Sequence, residues 1–231
     1  MNQIQMECNK RKITRLCHFT QSRNLAHIFD DQYKLFSTRT LKNLDMPHNP
    51  TDPNRHDGRD DLICCSIEYP NTYYFSKARM KDHLFEDWVV LLIEPCYLWH
   101  QNTCFCSCNA AKKGGIYIKK GFEGFMSLFA QTSPGINFSR PSKHLPTAPT
   151  DIQAEVLLED PISLDSITGI VVNSKEQVLR EKFRFKLQGI TIDKPFYIAP
   201  DFFDRAKLSN LIQRGVKANM TLYKNGDCHG R

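Results

Sequence analysis

No stretch of this chain carries the roughly eighteen consecutive apolar residues that a membrane-spanning helix requires. The longest apolar run, WVVLLI at 88–93, has the length of a buried strand. The N-terminus, MNQIQMECNKRKITR, lacks the apolar centre of a secretory signal, so the expected compartment is the cytoplasm, with no membrane partner. The nine cysteines are odd in number and follow no framework spacing, which points to reduced thiols. Cys104, Cys106 and Cys108 alternate, but no CxxC knuckle accompanies them, so buried thiols are expected and no metal. The glycines form neither GxGxxG nor GxxxxGK(S/T), which removes the common phosphate loops. Repeats, low-complexity tracts and linkers are also missing. A single domain over residues 1–231, acting as a monomer, is the expectation.

What the chain does have is unevenly placed charge. The net charge is +6, yet residues 109–150 hold six Lys/Arg against Glu123 alone, while 151–174 hold five acids and no base. Residues 45–108 are acidic, with ten acids against five bases, and the flanks 1–44 and 175–231 are basic. This arrangement fits a basic surface framing an acidic site, as a polyanionic partner would favour; accidental clustering on a solvated surface fits equally well.

Periodicity predicts mixed α+β structure. Strands are expected at 13–19, 62–69, 88–95, 154–159, 167–172 and 190–198. Helices are expected at 22–29 with Ser22 as N-cap, at 121–131, at 174–189 from a Ser174…Gln177 capping box to Gly189, and at 201–215. TYYF (72–75) either stays extended or opens a helix through Met80. Two long loops remain, 45–61 and 132–150, and loops of that length in a compact domain are usually functional. The first ends in RHDGRDD. Arg55 and Arg59 are candidate anion binders, because a guanidinium fork matches phosphate oxygens; pairing with Asp57, Asp60 or Asp61 is the alternative, favoured for Arg59. The second loop runs into TDIQAEVLLEDPI (150–162), which sets a carboxylate, Glu155, at the mouth of an apolar strand. Burying that charge is costly unless something uses it.

Four motifs then stand in one order: CHFT (17–20), RxDG (55–58) before SIxxPN (66–71), FCxxNAA (105–111) and TDxQAEVL (150–157). In that order they resemble the DarT family of DNA ADP-ribosyltransferase toxins, in the branch that modifies guanine rather than thymine. The resemblance covers about residues 13–172 and leaves 174–231 unaligned. It implies an ADP-ribosyltransferase fold, a split, mainly antiparallel sheet with flanking helices and NAD in the cleft. It implies transfer of ADP-ribose to a base of single-stranded DNA, and a paired antitoxin whose macrodomain removes the mark. It places nicotinamide and its ribose against the strand end His18, Phe19 and Thr20, and makes Glu155, Arg55 and His18 the catalytic group.

Chemistry gives these residues work. Breaking the nicotinamide–ribose bond builds positive charge on the ribose, and a carboxylate beside it stabilises the transition state more than the ground state. Glu155 can also accept the proton of the attacking base. Gln153, two residues earlier, shares its face if the chain is extended there, and so do His18 and Thr20 on theirs. His18 also fits a core histidine satisfied by a carbonyl. Ser66 and Asn71 would orient NAD or support Arg55. Phe75 is a candidate ring for nicotinamide, along with Tyr73 and Tyr74, although such rings are more often core. Asn109 would orient a loop or a ligand group. Thr150 and Asp151 would belong to the loop that meets the acceptor. Lys112, Lys113, Lys119, Lys120, Arg140 and Lys143 would track a DNA backbone. Two other functions remain open: an ADP-ribosyltransferase or NAD glycohydrolase with RNA, protein, a small molecule or water as acceptor, and a non-catalytic basic nucleic-acid-binding domain.

Overall fold

The computed structural model describes residues 2–29, 34–81 and 85–224. It opens with a helix that no apolar periodicity predicts, α1 (Gln3–Arg11), capped by Asn2, whose Oδ1 accepts the Ile4 N–H at 2.9 Å. Only Ile4 and Cys8, one turn apart, are buried, so its apolar edge is too narrow to register in sequence. Strand β1 spans Leu16–Gln21, later than expected. A 3-10 turn, Ser22–Asn24, leads into α2 (Leu25–Ile28). Ser22 is not an N-cap; it lies inside the turn, its hydroxyl donating to the buried Glu181 carboxylate.

The first long loop holds a short helix, α3 (Thr38–Asn43), before its irregular part, and β2 (Leu62–Ile67) follows. TYYF is helical: α4 (Thr72–Lys81) starts under Asn71, whose Oδ1 accepts the Tyr74 N–H at 3.0 Å. Then come β3 (Trp88–Ile93), β4 (Cys104–Cys106), β5 (Ile118–Lys120), α5 (Gly121–Ser127), β6 (Glu155–Glu159) and β7 (Ile167–Val172). Helix α6 (Lys175–Leu187) begins at Ser174, whose Oγ accepts the Gln177 N–H, and stops before Gly189 at φ +69°. Of 190–198 only β8 (Phe196–Ile198) is a strand, since Pro195 has no N–H to extend the ladder. The final helix, α7 (Arg205–Gln213), is shorter than expected because Asp204 caps it, and β9 (Thr221–Leu222) ends the described chain.

The strands form one sheet in the order β5-β4-β6-β2-β1-β3-β7-β8-β9. All neighbours are antiparallel except β7 and β8, which are parallel and joined through α6. Both faces of the centre are covered. Val89, Leu91 and Ile93 of β3 pack with α1, α5 and α6, while Trp88, Val90 and Leu92 pack with α4 and α7. That is why WVVLLI is continuously apolar rather than alternating. Each such side chain contributes about 1.5–3 kcal/mol on full burial.

The sheet is split at one seam. β1 pairs with β3 along its whole length, and β2 pairs with β6 from Leu62 to Cys65. Between β1 and β2 the ladder has only two pairs, Leu16 with Ile67 and Cys17 with Ser66. Beyond Cys17 the two strands part, and their departure opens a cleft.

Candidate active site

The cleft at this seam is walled by β1, β2, the start of β6 and the first long loop. Glu155, Arg55, His18, Phe19, Thr20, Ser66 and Asn71 all line it. Residues separated by up to 137 positions in sequence thus meet, from His18 on β1 to Glu155 on β6.

Glu155 is the first residue of β6, opposite Cys106 of β4, and is only 9% exposed. Its Oε1 accepts two N–H groups from the turn after β4: Asn109 Nδ2 at 3.0 Å and the Ala110 amide at 3.3 Å. Burial pushes its pKa up to about 8; the Ala110 N–H and the Arg55 charge pull it down, while Cys106 and Asp57 push it further up. Burial therefore favours the protonated acid, and a cation placed beside it favours the ionised form.

His18 stands where the strands separate. Its Nδ1 lies 2.8 Å from the Cys64 carbonyl oxygen of β2. Burial holds its pKa below the usual histidine value, so the ring is neutral, Nδ1–H donates, and Nε2 remains as an acceptor. The carbonyl-satisfied histidine and the cleft histidine are thus one and the same residue. Beside it, Thr20 Oγ1 accepts from Asn24 Nδ2 at 2.9 Å. The Asn24 side chain also holds the first loop, donating to the Asn49 carbonyl at 3.0 Å and accepting the Asn49 amide at 3.1 Å. Nothing in the sequence singled out this Asn24–Asn49 clasp, because asparagine in a helix start and asparagine in a loop are each unremarkable alone.

Arg55 departs from expectation. Its guanidinium fork is spent on Asp57, Nε to Oδ1 at 3.0 Å and Nη2 to Oδ2 at 2.7 Å, and it also donates to the Leu62 and Arg59 carbonyls. Of five N–H hydrogens, one on Nη1 stays uncommitted. The bidentate phosphate clamp is therefore replaced by a buried Arg55–Asp57 pair that shapes the loop and faces the cleft, with Arg55 itself at φ +39°. Arg59 pairs with Asp61, as expected.

Other residues lie elsewhere. Phe75 belongs to the core: it is 1% exposed and stacked on Phe19 at 4.6 Å between centroids, and of the three candidate rings Tyr73, Tyr74 and Phe75 it is Tyr74 that lines the cleft. Gln153 sits in a turn, not on an extended strand, so the period-two argument fails and it does not line the cleft. Thr150 and Asp151 are buried. Thr150 Oγ1 donates to the Ala130 carbonyl and accepts from Arg140, and Asp151 accepts the Gln153 amide at 2.9 Å. Arg140 is a staple for the second loop, donating to the Leu145 and Ala148 carbonyls at 2.7 and 3.0 Å. Of the cations expected on DNA, Lys113, Lys119, Lys120 and Lys143 are exposed, whereas Lys112 is half-buried and donates to the Pro134 carbonyl. Cys104, Cys106 and Cys108 are buried with Leu62, Ala110 and Leu157.

A split, mainly antiparallel sheet of this form, with a buried carboxylate, a neutral histidine and an arginine in the split, is the ADP-ribosyltransferase fold. A family profile described as "DarT: ssDNA thymidine ADP-ribosyltransferase, DarT" matches residues 17–204. The chain belongs to the DarT family. Its fold is similar to that of Thermus sp. 2.9 DarT in complex with NAD+, with a TM-score of 0.55 and 16% identity over 84% of this chain and 98% of that one. Thermus sp. 2.9 DarT in complex with ADP-ribosylated ssDNA gives 0.55 and 14% identity over 84% and 97%. Thermosipho africanus DarTG in complex with ADP-ribose gives 0.57 and 13% identity over 82% of this chain, which spans about half (51%) of that one. No curated protein matches the sequence.

Proposed function

We propose that the protein is a toxin that transfers ADP-ribose from NAD to a base of single-stranded DNA and releases nicotinamide. The observation that carries this reading is the buried Glu155 carboxyl at the split, facing a neutral His18 and the Arg55–Asp57 pair. NAD enters with a cationic nicotinamide ring, which favours ionised Glu155. As the ribose C1′–nicotinamide bond breaks, its electron pair leaves with nicotinamide and positive charge spreads on the ribose beside the carboxylate. A base nitrogen forms the new bond to C1′, and its proton passes to Glu155. His18 Nε2 accepts a hydrogen bond from the ribose or the carboxamide, Thr20, Ser66 and Asn71 support the same end, and Arg55 contributes its charge and one N–H.

The base must be unstacked to reach a cleft floor, so a single strand or a flipped nucleotide is the substrate. The exposed Lys113, Lys119, Lys120 and Lys143, with Lys112, carry its backbone. Guanine is the base assigned, on the RxDG and SIxxPN stretches; the family description names thymidine. A macrodomain antitoxin is the assigned partner, and the toxin acts as a cytoplasmic monomer.

Incubation with labelled NAD and separate single-stranded DNA, duplex DNA, RNA and protein tests the acceptor. Label confined to single-stranded DNA supports the reading; label on RNA or protein alone, or free ADP-ribose alone, overturns it. Oligonucleotides each lacking one base decide between guanine and thymine.

A further inference from the structure

Glu155 has two oxygens in different situations. Oε1 accepts Asn109 Nδ2 at 3.0 Å and the Ala110 amide at 3.3 Å, while no described residue donates to Oε2. Asn109 is itself locked, because its Oδ1 accepts the Ala111 amide at 3.1 Å and so orients the amide with nitrogen toward Glu155. The turn that carries it follows β4 directly, and Cys106 of β4 pairs with Glu155 in the ladder, so the acceptor sits on one strand and the donor in the turn that leaves its ladder neighbour.

We propose that Asn109 is a positioning residue, whose amide with the Ala110 N–H fixes Oε1 as the held oxygen and leaves Oε2 to meet the ribose and take the base proton. This rests on the catalytic role given above to Glu155. A carboxylate held at one oxygen cannot rotate away as charge develops, and both donors stabilise its ionised form against the burial that favours the acid. The other groups around the carboxyl are Arg55 and Asp57 of the first loop, Cys64 of β2, Tyr74 of α4, Cys106 at the end of β4 and Cys108 just after it. Of these only Arg55 opposes protonation, so the Asn109 donor matters.

Two substitutions separate positioning from mere support of the turn. Asn109→Asp keeps an oxygen to accept the Ala111 amide but replaces the donor to Glu155 with a second carboxylate. Asn109→Ala removes both. If Asn109 only shapes the turn, Asn109→Asp is the milder change; if it holds Glu155, Asn109→Asp is the more severe. The measurement is the titration of the Glu155 carboxyl by carbon-13 NMR in glutamate-labelled protein without NAD, with Glu155→Gln assigning the signal. We expect the titration to move up by about one pH unit in Asn109→Ala, since a hydrogen bond to a charged group is lost, and further up in Asn109→Asp. The acid limb of kcat/KM should move in the same order. An unmoved titration in Asn109→Ala, or an Asn109→Asp titration like the wild type, overturns the inference. Absence of any transfer by the wild type would instead remove the enzymatic reading, and the NMR titration would still decide what Asn109 does to Glu155.

Discussion

The His18 ring crosses the seam where β1 and β2 part, its Nδ1 2.8 Å from the carbonyl oxygen of Cys64 on the opposite strand. One residue thereby ties the two halves of the sheet and fixes its own tautomer. His18→Ala should raise KM for NAD by about tenfold or more, through loss of the Nε2 acceptor and of the tie, worth on the order of 1.5 kcal/mol. Because burial holds the imidazole below its ordinary pKa, no histidine step should appear in the rate between about pH 7 and 9. Steady-state kinetics in NAD across that range check both statements.

Glu155 gives a prediction about stability as well as activity. Its carboxyl titrates near 8 in the folded protein, far above the ordinary carboxylate value, so the folded state keeps a proton that the unfolded chain releases. Stability from this group is therefore present at low pH and falls as pH rises through roughly 4.5 to 8. Glu155→Gln should be more stable than the wild type at pH 8 by on the order of 4 kcal/mol, and equal to it near pH 4. Thermal melts at the two pH values test this; equal melting at pH 8 would mean the carboxyl is not held as an acid.

The Arg55–Asp57 pair makes a test in which two residues should behave as one. Arg55→Lys removes the fork that grips Asp57, and Asp57→Asn removes what it grips, so each should loosen the loop and weaken NAD binding by about tenfold. Arg59→Lys should be milder, because the Arg59–Asp61 pair is partly exposed and such pairs contribute about 0–1 kcal/mol. Calorimetric titration with NAD measures all three. A silent Asp57→Asn beside a damaging Arg55→Lys would return Arg55 to direct phosphate binding.

The basic residues divide into two groups with different signatures. Changing Lys112, Lys113, Lys119 and Lys120 together to Gln should flatten the fall of activity with salt and leave NAD binding nearly intact, since phosphate contacts release counterions. Arg140→Gln should act on folding, lowering stability by about 2–3 kcal/mol, because it leaves the Leu145 and Ala148 carbonyls without their donor. Salt titrations of DNA labelling and denaturant melts separate the two. An Arg140→Gln protein of normal stability with a flattened salt slope would put Arg140 on the DNA.

How much of this was legible in the sequence follows from what each feature depends on. His18, expected near the end of a strand over 13–19, lies within β1 (Leu16–Gln21), whereas Glu155 at a strand mouth was readable because continuous apolar runs locate strands. The sheet order and the split were not, since the two-pair contact of β1 with β2 leaves no local pattern. Arg55 was read as a phosphate clamp with pairing to Asp57, Asp60 or Asp61 as the alternative; Asp57 is two residues away, and only the fold shows that its carboxylate takes the fork. Gln153 failed because a period-two argument was applied to a turn, and Arg140 and Thr150 because a loop's polar residues can serve its own carbonyls. Asn109 was suspected from its motif; its contact with Glu155, 46 positions on, belongs to the pairing of β4 with β6.

The central claim is that Glu155 drives transfer of ADP-ribose to single-stranded DNA. The most direct measurement is mass analysis of a single-stranded oligonucleotide containing all four bases, incubated with NAD and either wild type or Glu155→Gln. The wild type should add the mass of one ADP-ribose to a base and release an equivalent of nicotinamide, while Glu155→Gln binds NAD and adds nothing. Transfer by Glu155→Gln at the wild-type rate, or nicotinamide release by the wild type with an unmodified oligonucleotide, would contradict it.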